Sequence, residues 1–461
     1  MTKIIAISDV GAGIRVPLGG SEGAIVAPHV TVQSTNASTI YGSGIDHQIY
    51  VAGNVYGSIS GINLGDIPAA DYMERVLVDT TGSVASFNDA IAIHAYASIV
   101  DNRGSIWGAH IGVSMTGSSA NTTSVLLNSG KIEGNSIGVL RSGSESLEFH
   151  NSGSVDGGVS AFDGQGTGKV SIENTGQMTG AIDFGDGDDV YDGHAGRHTG
   201  SHINGGGGND TLIGGVDDDD LAGLSGDDLL YGNAGNDHLE GLAGADRMFG
   251  GTGDDQYRVD ISGDFVSEAG GGGIDTVTST INFNLSDKAH VLGAVENLGL
   301  FGQATTGSGN ELANTITGNS AANTLRGLAG NDVLDGQGGT DTLYGGAGKD
   351  MLTGGAGGDI FVFNTAPSAS SRDVITDFSK AEGDKIELGH LVFKGIGHAG
   401  SQLSGHFHVG AAAADADDRI VYNSKTGALY YDSNGAAAGG AMLFAALSHK
   451  PVLSAHDFLV I

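Results

Sequence analysis

Residues 205–213 read GGGGNDTLI, and five units of the same form follow without a gap: GGVDDDDLA, GLSGDDLLY, GNAGNDHLE, GLAGADRMF and GGTGDDQYR, ending at Arg258. Every unit opens with glycine. Position six is always aspartate (Asp210, Asp219, Asp228, Asp237, Asp246, Asp255), and position eight is always apolar (Leu212, Leu221, Leu230, Leu239, Met248, Tyr257). A second array starts at Gly309: GNELANTIT, GNSAANTLR, GLAGNDVLD, GQGGTDTLY, GGAGKDMLT and GGAGGDIFV. Its position six holds Asn314, Asn323, Asp332, Asp341, Asp350 and Asp359.

Each unit divides into a turn and a three-residue strand. So short a strand makes no sheet alone, but stacked copies pair laterally, and each position-eight side chain becomes one layer of a thin core. The turn glycines permit positive φ and bring backbone carbonyls together. Successive turns fall on opposite edges of the stack, so same-edge turns are 18 residues apart. Carboxylates then stand one above another and repel unless neutralised. A hard cation with about six to eight oxygen ligands answers that repulsion. Ca²⁺ accepts carbonyls and carboxylates in flexible geometry, whereas Mg²⁺ demands a stricter octahedron and keeps its waters. Acidic loops without metal would leave the repulsion unanswered.

The two arrays resemble the calcium-binding β-roll of RTX (repeats-in-toxin, haemolysin-type) proteins, whose nonapeptide has this register. The resemblance implies calcium ions between same-edge turns, each held by two position-six aspartates and turn carbonyls. The implied pairs are Asp210–Asp228, Asp219–Asp237, Asp228–Asp246 and Asp237–Asp255, then Asp332–Asp350 and Asp341–Asp359. Asn314 and Asn323 keep an oxygen but lose the charge, so sites there are expected to be weak or absent. Asp217 replaces the position-four glycine and leaves that turn's geometry open.

The rest of the chain is read around the arrays. Residues 185–204 look like two degenerate units, with Asp189 a possible ligand and His198 in the next position six. His194, His198 and His202 also invite a zinc reading, against plain turn histidines. Upstream, "VYGSISG", "NRGSIWG", "NSGKIEG", "NSGSVDG" and "NTGQMTG" repeat Gly-x-apolar-x-Gly, with first glycines at Gly57, Gly104, Gly130, Gly153 and Gly176 and Gly82 filling the gap. Steps of 22 to 26 residues suggest the coils of a β-solenoid. The expected fold is all-β. It comprises a β-solenoid-like domain (1–184), a parallel β-roll array (185–258), a β-rich connecting segment (259–308), a second array (309–362) and a β-rich C-terminal region (363–461). That last region resembles the end of serralysin-type RTX proteins. Asp457 followed by four apolar residues fits an uncleaved type I secretion signal as well as a last edge strand.

Composition sets limits. The chain of 461 residues has 82 glycines, 5 prolines and no cysteine, so disulfides and thiolate metal sites are excluded. The formal charge is −34, from 54 acidic and 20 basic residues, which argues against nucleic-acid binding. No apolar run approaches the roughly 18 residues of a membrane span, and the opening "MTKIIAISDVGAGIRVPLGG" lacks a signal-peptide core.

The functional expectation is an extracellular calcium-binding protein of structural, surface or adhesion type that folds on binding calcium. Its expected partners are calcium, a cell surface or extracellular polysaccharide, and a type I secretion apparatus. The alternative is a polysaccharide lyase or epimerase using the solenoid, with Asp46, His47, His94, Asp101 or His110 in a groove. No catalytic residue is assigned, because no acid–base pair shares a face by spacing. His-Glu-x-x-His is absent and no serine nucleophile elbow is expected. A pore-forming toxin would need long apolar helices ahead of the repeats.

Overall fold

The computed structural model describes residues 3–7, 16–35, 37–43, 46–65, 73–368, 370–437 and 439–461. The reading of the first twenty residues falls partly outside them. Among the described residues the fold is all-β, with parallel pairing almost throughout and one short 3-10 turn at Ala455–Asp457. The chain divides into two units, 1–255 and 256–461.

The first unit is a solenoid whose coils carry three strands. Ile99–Asn102, Ser105–Gly108 and Ile111–Gly117 make one coil; Thr123–Asn128, Lys131–Gly134 and Ile137–Gly143 make the next. Each strand pairs in parallel with its counterpart. Alternation along the strands sends one column of side chains inward from each side. Val100, Leu126, Phe149 and Ile172 fill one column, and Ile106, Ile132, Val155 and Met178 another, all fully buried.

One corner of the coil explains the recurring Asn-x-Gly. The buried Asn102 amide donates to Asn128 Oδ1, Asn128 to Asn151 and Asn151 to Asn174, each at 2.8 Å. The same amides also reach backbone carbonyls of the next coil, so both donors are used. The glycine two residues later is sterically required: a Cβ on Gly153 would lie 2.0 Å from Gly130 O.

The register corrects one expectation. Asn54 pairs with Ser83 and Gly57 with Ser86, which in turn faces Gly108. Gly53, not Gly57, therefore heads its coil, and the step to Gly82 is 29 residues. The stretch 53–61 satisfies Gly-x-apolar-x-Gly in two overlapping phases, and only strand pairing chooses between them.

The coil then loses a side. Arg197–Thr199 pairs with the first half of Gln177–Asp183, and this middle side of the coil has no later strand in this unit among the described residues. The other two continue in unbroken parallel register: Ser171, Val190, Thr211 and Leu229 along one, Ile182, Ile203, Leu221 and Leu239 along the other. An 18-residue coil has room for two short strands and two long turns. Position-eight residues Leu212, Leu230 and Met248 lie on one sheet and Leu221 and Leu239 on the other, all fully buried.

The second unit builds the same two-sided roll. Gln256–Val259, Thr276–Ser279, Asn297–Leu300, Thr315–Thr317, Val333–Asp335, Met351–Thr353 and Asp373–Ile375 form one row. Phe283–Asn284, Thr306–Ser308, Thr324–Ala329, Thr342–Ala347, Ile360–Phe363, Lys385–Leu388 and Phe458–Val460 form the other. The chain's last apolar residues thus close a sheet edge. The antiparallel strands Ile420–Asn423, Ala428–Asp432 and Ala441–Leu447 extend the first row beside Asp373–Ile375.

Candidate metal centre

The position-six residues form ladders along the roll edges. The backbone N–H of Asp210 donates to Asp228 Oδ1 at 2.8 Å, and that of Asp228 donates to Asp246 Oδ1 at 2.8 Å. On the opposite edge Asp219 donates to Asp237 and Asp237 to Asp255, again at 2.8 Å. In the second array Asp332 donates to Asp350 at 2.9 Å and Asp341 to Asp359 at 2.8 Å. Every rung spans 18 residues, the two-unit spacing. All ten position-six aspartates are buried.

One oxygen of each carboxylate is thus fixed by an N–H. The other, Oδ2, is buried without a hydrogen-bond partner in Asp210, Asp228, Asp237, Asp332, Asp341, Asp350 and Asp359. A partnerless buried carboxylate oxygen is costly. The opening glycine of each of these seven units faces it. A Cβ on Gly232 would stand 2.2 Å from Asp237 Oδ2 and 2.7 Å from Gly250 O, and Gly327 and Gly336 repeat that arrangement with Asp332 and Asp341. Glycine therefore lets a carboxylate oxygen and a backbone carbonyl oxygen pack close to the chain at the same point. The residues fit a hard, oxygen-seeking divalent cation and offer nothing to a soft one.

Burial holds these carboxyls above the usual carboxylate range. Those of Asp228, Asp237, Asp332 and Asp341 are pushed up to about 7, first by desolvation, then by neighbouring aspartates on the ladder. Asp210 and Asp219 reach about 6, again chiefly by desolvation. A carboxyl raised in the folded state favours the protonated fold, so its stabilising contribution is full below about pH 4 and vanishes as pH rises through 6 to 7. In chelator, acidification from pH 7.5 to 5 should therefore increase far-UV β signal, whereas in millimolar calcium the same change should weaken it because protons compete with the ion. Equal pH responses in the two conditions would contradict this.

Where the sequence departs from the repeat, the geometry changes. The Nδ2 of Asn314 donates to the carbonyls of Val295 and Glu296 at 3.3 and 3.1 Å, and that of Asn323 to Ala304 O at 3.3 Å. An amide donor there engages carbonyl oxygens directly. Asp217 forms a two-pronged ion pair with Arg197 at 2.7 and 2.9 Å. Its turn lacks the left-handed residues of the next one, where Leu224 and Gly226 have φ of 78° and 127°.

The ladders also run past the repeats. Asp189 donates to Asp210 Oδ1 at 2.7 Å and leaves a buried, partnerless Oδ2. Asp350 donates to Asp373 at 3.1 Å and Asp359 to Asp384 at 2.9 Å. Asp373 and Asp384 escape a nine-residue scan, but both sit two residues before an inward apolar residue, Ile375 and Ile386, as each repeat aspartate does. Position five carries a second ladder that sequence reasoning missed: Asn209 Oδ1 accepts from Asp227 N and Asp218 Oδ1 from Asn236 N, each at 2.8 Å.

The histidine cluster does not converge. His194 bonds Asp192, His198 Nε2 meets Gly180 O at 2.9 Å, and His202 meets Asp183 at 3.0 Å. The solenoid's ionisable candidates are dispersed too. His47 is fully buried against Glu74 at 2.8 Å, Asp101 pairs with Arg103, and Asp46 is exposed with φ 59°. His94 and His110 both act electrostatically on Asp89, a residue the sequence reading did not single out. Gly-x-Ser-x-Gly does occur, at 19–23 and 134–138, contrary to expectation. Ser21 lies in a turn and Ser136 in a bend, each between β-strands and without the helix an elbow needs.

With this geometry established, comparison with known proteins is specific for the arrays. The family model of the RTX calcium-binding nonapeptide repeat matches four stretches, 201–230, 222–257, 308–343 and 329–361. The chain therefore carries RTX-type calcium-binding repeats. No curated protein matches it. Among solved structures, it is similar to the AlgE6R3 subunit of the Azotobacter vinelandii mannuronan C5-epimerase, at 29% identity over 32% of this chain and 78% of that one, with a TM-score of 0.24. No described helix is long and apolar enough to cross a membrane.

Proposed function

We propose that this chain is an extracellular, calcium-folded RTX-type protein of structural, surface or adhesion type. The observation that carries the reading is the row of buried carboxylates with one oxygen fixed by an N–H and the other left without a hydrogen bond against a glycine and a backbone carbonyl. In this reading each ion sits between same-edge turns, held by Asp210 and Asp228, Asp219 and Asp237, Asp228 and Asp246, Asp237 and Asp255, Asp332 and Asp350, or Asp341 and Asp359. At low intracellular calcium the carboxylates repel and the arrays stay open enough for a type I secretion channel. Outside the cell, calcium reaches the roughly 10⁻⁴–10⁻³ M affinity range of extracellular modules, and binding energy becomes folding energy. A cell surface or an extracellular polysaccharide is the proposed partner. Equilibrium dialysis with radioactive calcium should show several ions bound per chain at millimolar calcium, undisplaced by equimolar magnesium. Absence of bound calcium at that concentration would reject the reading.

A further inference from the structure

The outer face of the solenoid holds a groove that the calcium sites do not explain. Strands Glu22–Val26, Gln48–Val51, Arg75–Val78, Ile99–Asn102 and Thr123–Asn128 floor a cavity of about 550 Å³. Register aligns Tyr50, Leu77, Asp101 and Leu127 in one outward column. Gln48 and Arg75 stand in register in the column beside it.

Two features set this groove apart. The first is its charge. The chain has 54 acidic and 20 basic residues, yet the groove is lined by two guanidiniums, Arg75 and Arg103, and one carboxylate, Asp101, with the Asp79 carboxylate at its edge on the Tyr50 hydroxyl and near Arg103. The second is its rigidity. Asp101 holds Arg103 with two contacts, at 2.6 and 3.2 Å, and the Tyr50 hydroxyl donates to Asp79 Oδ2 at 2.5 Å. Arg75 is exposed and has no ion pair or side-chain hydrogen bond among the described residues. One cation is thus preset and one is free to engage a ligand.

We propose that this groove binds an acidic polysaccharide of the uronate class, with sugar faces against Tyr50, Leu77 and Leu127 and carboxylates on Arg75 and Arg103. The shape selects a polymer: five adjacent strands span four steps of about 4.8 Å, or about 19 Å. A peptide cannot add to this face as a strand, because the backbone groups are already used within the sheet. Guanidinium forks match planar carboxylates in two-point contact, and a flat aromatic or aliphatic floor suits a sugar ring. The proposal rests on the preceding section only in taking a polysaccharide as partner. It stands or falls separately from calcium folding.

The test uses the full chain in millimolar calcium and fluorescence anisotropy with labelled hexasaccharides of galacturonate, mannuronate and hyaluronan, against neutral cellohexaose. At least one acidic probe should bind about tenfold or more tighter than cellohexaose. Arg75→Gln and Arg103→Gln should each weaken that probe about tenfold. Asp101→Asn should instead tighten it a few-fold by removing the lining carboxylate that repels the probe's own, with the amide oxygen still placed to accept from Arg103. Calcium-dependent circular dichroism, read on every variant, separates a binding defect from a folding one, and Arg75→Lys should bind between wild type and Arg75→Gln. Acidic probes no better than cellohexaose, or affinities unchanged in folded Arg75→Gln and Arg103→Gln, would overturn the proposal.

Discussion

Transferred from millimolar calcium to chelator at pH 7.5, the protein is expected to lose the β signal of residues 205–255 and 309–361 and to expand. The roll has little else to hold it. Each unit buries one position-eight side chain, and its turns are rich in glycine, which loses more conformational freedom on folding than any other residue. Against that stands a column of desolvated carboxylates whose buried, unsatisfied oxygens are costly unless something neutralises them. An ion at ten times its Kd contributes about 1.4 kcal/mol, so six contribute about 8 kcal/mol, the scale of a whole domain's stability. The three-strand coils need no ion: fully buried columns and an asparagine ladder hold them. Partial rather than complete loss of circular dichroism is therefore the expected result, with a larger hydrodynamic radius.

The second large effect is expected from Asp228→Asn, and its sign depends on the metal. Asp228 stands in the middle of its ladder, accepting from Asp210 and donating to Asp246. Asparagine keeps the accepting Oδ1 and the volume but removes the charge. With calcium present, two neighbouring sites should weaken together, and the calcium needed for half folding should rise severalfold. In chelator the same variant should be better folded than wild type, because one buried carboxylate near pKa 7 no longer has to ionise. Asn314 and Asn323 show how an amide sits in this position, donating to the surrounding carbonyls. A variant destabilised equally with and without calcium would mean that Asp228 is a packing residue only.

What the sequence discloses follows from periodicity. The arrays are legible because nine-residue spacing fixes both the inward apolar residue and the aspartate, and two-unit stacking follows from geometry alone. Asp373 and Asp384 are not legible, because their coils are longer: the rungs from Asp350 and Asp359 span 23 and 25 residues. The position-five ladder escaped because Asn209, Asp218, Asp227 and Asn236 read as ordinary polar turn residues until N–H partners are seen. The solenoid repeats at uneven steps, so its coils could be suspected but Gly53 and Gly57 could not be ordered. The groove is invisible to any local reading, since Tyr50, Arg75 and Asp101 meet only through three-coil stacking.

Hydrogen exchange followed by mass spectrometry, in millimolar calcium and in chelator, tests the central claim most directly. Peptides from 205–255 and 309–361 should be protected with calcium and exchange within seconds without it, while peptides from 99–183 stay protected in both. Equal protection of the array peptides in the two conditions would contradict the account.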